Sequence, residues 1–127
     1  MNIEKFHKKD VAYRQLQTAL KLFFAGADLF SVITLAAAAE EILGELLRQK
    51  KGEERRGFQS VMHLFTSPKT EPVSSGTLNE SEIYLHLDLR QEALFLLGRS
   101  VDDYLALEGS ATEEMLRFDR EFRAGKG

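Results

Sequence analysis

The chain has 127 residues, 43% of them hydrophobic and 29% charged, with a net charge of −3 and no cysteine. This size fits one domain with its own core. The lack of cysteine excludes disulfides and thiolate zinc sites, and the acidic balance disfavours RNA binding beyond a local basic patch, because phosphate neutralisation needs clustered Lys and Arg.

Residues 1–10 are charged and lack the apolar core of a secretory signal. The longest apolar stretch, residues 29–39, falls short of the about 20 residues that cross a bilayer and reads as a buried helix. A cytoplasmic protein without membrane association is the expectation.

In chain order, Ala12, Leu16, Ala19, Leu20 and Phe23 recur at helical spacing. They predict a first helix that begins between Lys8 and Asp10 and ends at Ala25, stopped by Gly26. Ile3 and Phe6 extend it or pack as an arm. Asp28 is the N-cap of a second helix, whose free backbone N–H groups its carboxylate satisfies. This helix runs to about Lys51 and ends at Gly52. Its first half is apolar nearly all round, the mark of a helix enclosed by others, and its alanine run at 36–39 permits close approach of a neighbouring backbone. Its second half turns Ile42, Leu43, Leu46 and Leu47 inward.

A third helix is predicted over residues 53–65, with Phe58, Val61, Met62 and Phe65 inward. Its short connection to the second predicts that the two are antiparallel neighbours. Residues 67–81 hold Pro68, Pro72, Gly76 and Asn79 among Ser and Thr and read as a long surface loop. Ile83, Leu85, Leu87 and Leu89 alternate with polar residues, but a lone strand has no partner, so the segment reads as an extended lead-in. Asp88, with Gln91 in the reciprocal position, caps the fourth helix. Its core face is Leu94, Leu97, Val101, Tyr104 and Leu105, and Gly109 stops it. Ser110 with Glu113 forms the capping box of a last helix reaching Ala124, with Ala111, Met115, Phe118 and Phe122 inward. The reading is a single all-α domain over residues 1–127, an antiparallel bundle of four main helices plus a short C-terminal helix.

Arg56 and His63 are the sharpest catalytic candidates. They stand seven apart, about 20° from one another around a helix, on the face opposite the apolar stripe of the third helix. An imidazole near its unperturbed pKa serves as general acid or base, and a guanidinium stabilises a phosphorane-like charge. RNA cleavage by this pair needs a second pair from a symmetry mate. The competing reading is an Arg and a His on a solvated face without a mutual role.

The remaining charged residues read more simply. His7 and His86 are surface residues, although His86 and Asp88 share a side if their segment is extended. Glu40, Glu41 and Glu45 form either a solvated face or an ion-pair partner for an Arg of another helix. Arg99 and Asp103, at i and i+4, form a surface pair. No histidine spacing suits a metal, and no cofactor is expected.

Two stretches, ALKLFFAGADLFSVITLAAAAEEILGELL at 19–47 and RSVDDYLALEGSATEEMLRF at 99–118, look like segments of small bacterial helical proteins. Their general layout resembles the HEPN superfamily of helical bundles. That resemblance implies a homodimer and, in many members, a metal-independent ribonuclease of toxin–antitoxin, abortive-infection or CRISPR systems. The superfamily motif is an Arg and a His separated by four to six residues, usually with Asn, Asp or His directly after the Arg. Arg56 and His63 have six residues between them, and Gly57 follows the Arg. The resemblance therefore implies a site shared across a dimer through Arg56 and His63. The departure at Gly57 and the acidic balance favour a dimeric, non-catalytic module that binds a partner protein or a ligand, with the ribonuclease as the alternative.

Overall fold

The computed structural model describes residues 3–52 and 83–123. They form four α-helices: α1, Lys8–Phe24; α2, Leu29–Lys51; α3, Leu89–Glu108; and α4, Glu113–Phe118, which runs into a π-helical turn over Asp119–Arg123. Among the described residues there is no strand. The all-helical expectation holds for them, while the predicted helix at 53–65 and the loop at 67–81 lie outside them.

Local chemistry sets the ends of α1 and α2. The His7 Nδ1 accepts from the Lys9 N–H at 2.9 Å and caps α1. After Phe24 the chain turns through Gly26, at φ 72°. There the Gly26 N–H donates to the Phe23 carbonyl and the Ala27 N–H to that of Leu22, the paired closure that a left-handed residue permits after a helix. Asp28 caps α2, accepting from Phe30 and Ser31 N–H groups at 3.3 and 3.2 Å.

Asp88 does the same for α3, accepting from the Gln91 N–H at 3.1 Å, and residues 84–88 lead into it without regular structure. The cap of α4 differs from expectation. Thr112, not Ser110, accepts from the Met115 N–H at 3.2 Å. Its hydroxyl also donates to Gln17 Oε1 at 2.7 Å, so a tertiary partner on α1 selects it over the local box.

The core lies where α2 meets α1 and α3. All five apolar positions predicted for α1 are buried, and Val32, Ile33, Ala36 and Leu43 join them from α2. From α3 come Ala93, Leu96, Leu97, Val101 and Tyr104. Leu105, predicted for the core, is 43% exposed. Two helices pack on α3, so its buried surface rotates onto Ala93, Gly98 and Ser100, small residues that an apolar-periodicity reading passes over. Met115 and Phe118 close one end of the core, fully buried, with Phe23, Phe118 and Phe122 in edge and tilted ring contacts.

Residue pairs give the helix directions. Lys9 meets Glu108, Tyr13 meets Tyr104 and Phe23 meets Arg90, so α1 and α3 run in opposite senses. The short turn through Gly26 makes α1 and α2 opposed as well. Ala36 meets Ser100, and Gly44 meets Asp103 further along both helices. The α2–α3 pair therefore runs in the same sense, unlike an antiparallel pairing. Short connections force opposed neighbours, and no short connection joins α2 to α3.

Candidate functional site

Arg56 and His63, and with them the predicted outer face of the third helix, lie outside the described residues. His7 is committed as the cap of α1. His86 is exposed ahead of α3.

The deepest charged cluster among the described residues lies on the α2–α3 seam. Gly44, inside α2, leaves space on the helix surface that other side chains fill. A methyl group at its Cβ position would lie 3.2 Å from Arg48 Nη1, 3.6 Å from Glu40 Oε2 and 3.7 Å from Asp103 Oδ2. Two carboxylates and a guanidinium thus gather over one glycine. Glu40, whose side chain is only 9% exposed, pairs with Arg99 Nη2 at 3.2 Å. Of the two roles open to the acidic run of α2, Glu40 takes the inter-helix ion pair. The predicted Arg99–Asp103 surface pair is replaced by this contact, because Arg99 lies at the seam and the buried carboxylate across it has the greater need of a counter-charge.

Asp103 is half-buried beside them. Loss of hydration pushes its carboxyl above the usual aspartate range. The Glu40 charge adds to the shift, Arg99 and Arg48 oppose it, and Asp102 contributes in the same direction as Glu40. Two carboxyls in unequal surroundings, one ion-paired and one inclined to keep a proton, are what acid–base chemistry uses. Here, however, each faces a cation of the same seam. Beneath them the buried Ser100 hydroxyl lies 2.8 Å from the Leu96 carbonyl and 3.1 Å from that of Ala36. It shares its one proton between α3 and the alanine run of α2.

A second charged latch ties the C-terminal turn to α3. Arg123 grips Asp102 with both ends of its fork, at 2.8 and 3.3 Å. Its Nε donates to Asp119 at 2.8 Å and its Nη1 to the Gly98 carbonyl at 3.3 Å. Sequence reading singled out neither Gly44 with Arg48 nor Gly98 with Arg123. The signal was present: glycine inside a helix costs about 1 kcal/mol relative to alanine, so each of the two glycines marks a close approach.

Among the described residues no three His, Asp or Glu side chains converge as a metal site, and no helix is long and apolar enough to cross a membrane. Comparison with protein-family models, with curated proteins and with solved structures gives no match.

Proposed function

We propose that this chain is a dimeric, HEPN-like helical-bundle module that binds a partner protein or a small ligand without catalysing a reaction. One observation carries the reading. Of the deep-set charges described above, Glu40 is paired with Arg99 across the α2–α3 seam and Arg123 with Asp102 and Asp119 at the latch. Large apolar side chains are also left facing outward, among them Phe30 on α2, Phe95 and Leu105 on α3 and Leu116 on α4. Chemistry needs charged groups held ready for a substrate, whereas association needs exposed apolar area. Twofold pairing is the commonest way for a small soluble chain to use such area.

Light scattering on the purified chain tests the association. The expected mass is twice 14.4 kDa, and a monomer at tens of micromolar overturns the dimer. Incubation with structured and single-stranded RNA in the presence of chelator tests the rest. Intact RNA is expected. Cleavage that disappears in His63→Ala replaces the module with the ribonuclease that the Arg56–His63 spacing would serve.

A further inference from the structure

An open groove of about 570 Å³ runs between α3 and the C-terminal π-helical turn, lined by Gln91, Leu94, Phe95, Phe118, Phe122 and Arg123. Its volume is that of a small-molecule site, and its walls are mostly aromatic and aliphatic, as in such sites. Phe95 is 56% exposed at its edge, a cost in water that an apolar occupant would remove. The far wall is the π-helical turn, which sets the consecutive residues Phe122 and Arg123 on the same groove.

Charge identifies the occupant. Three arginines lie against rings that line this groove, and of them Arg123 lines it directly. Arg99 lies over Phe95 at 5.7 Å, and its charge is taken by Glu40. Arg123 lies over Phe118 at 5.8 Å, and its charge is taken by Asp102 and Asp119. Arg90 is different. Its guanidinium lies 5.5 Å from the Phe23 ring and 5.6 Å from the Phe122 ring, and it pairs with no carboxylate among the described residues. Two rings hold it in place, one of them the groove-lining Phe122, and it directly precedes the groove-lining Gln91.

We propose that this groove binds a small amphipathic carboxylate, its apolar body against Phe95 and Phe122 and its carboxylate on Arg90. A planar guanidinium fork suits a carboxylate in a way a neutral group cannot match. This site rests on the small-ligand branch of the proposed function and shares Phe95 with the association surface, so ligand titration and dimer mass are read separately.

Titration of 15N-labelled protein with 4-phenylbutyrate and with its uncharged analogue 4-phenylbutan-1-ol, followed by amide shifts, tests it. The acid is expected to bind about tenfold more tightly than the alcohol, the step that about 1.4 kcal/mol gives, with the largest shifts at Gln91, Phe95 and Phe122. Arg90→Gln should bring the acid down to the affinity of the alcohol and leave the alcohol unchanged. Arg90→Lys should retain part of the preference, and Phe95→Ala should weaken both ligands. The variants' own spectra report whether they fold. Equal affinities for acid and alcohol in the wild type, a preference that survives Arg90→Gln, or shifts centred away from α3 and the π turn would each overturn the proposal.

Discussion

Substituting Gly98 in the middle of α3 puts two physical effects in opposition. Alanine in place of an interior helical glycine stabilises by about 1 kcal/mol through lower backbone entropy in the unfolded chain. At this position, though, the new methyl group would lie 3.0 Å from Arg123 Nη1. The guanidinium must then withdraw from the Gly98 carbonyl and loosen its fork on Asp102. Those half-exposed contacts are worth on the order of 1 kcal/mol together, so Gly98→Ala alone should leave stability nearly unchanged. In an Arg123→Ala background nothing obstructs the methyl group, and the same substitution should recover its full 1 kcal/mol or so. A double-mutant cycle therefore predicts a coupling of about 1 kcal/mol. In thermal melts that is roughly 4 °C for a chain of this length. Equal stabilisation by Gly98→Ala in both backgrounds would refute the latch.

Asp103→Asn tests the seam. The raised carboxyl of Asp103 means that the folded state holds the proton more tightly than the unfolded chain does. Its contribution is then fully present below the unfolded value and lost as pH rises through the folded one. The Asn variant should lack that loss, so denaturant melts at pH 7 should find it as stable as wild type or more so. A clear loss at pH 7 would mean that Arg99 and Arg48 outweigh burial and Glu40. Phe118→Ala, at a fully buried ring, should cost about 3–5 kcal/mol, read as a fall in Tm of roughly 12–20 °C. A fall under about 4 °C would show that α4 is not part of the core. Asp28→Ala removes both acceptors at the start of α2 and should cost about 1 kcal/mol, measured by urea unfolding.

How much of this was legible in the sequence depends on whether the deciding force is local. The end of α1 and the start of α2 follow from Gly26 and Asp28, whose effects act within one turn, and both ends fall where expected. The inward stripe of α1 was fully legible because its five buried positions are all apolar and recur at helical spacing. On α3 the stripe was misplaced at Leu105, because a helix between two neighbours buries small residues that carry no hydrophobic signal. The cap of α4 was missed because Gln17, far away in sequence, chooses Thr112. The charged seam was legible in half. The acidic run of α2 could be given an arginine partner on another helix, but only the fold identifies Arg99. The Arg56–His63 candidate came from spacing and resemblance alone, and no described contact bears on it.

The shared direction of α2 and α3 has a consequence for how the chain folds. Contacts between α1 and α2 span a connection of only residues 25–28 and close at little entropic cost. The seam joins groups as distant as Ala36 and Ser100, 64 residues apart, and must wait until the chain over residues 52–88 has closed. Loop-closure entropy alone therefore ranks the α1–α2 contacts ahead of those that dock α3 on Ala36, Glu40 and Gly44. An ion pair and a hydroxyl bridge at this seam favour one register at the last step of assembly, where a uniformly greasy surface would accept several.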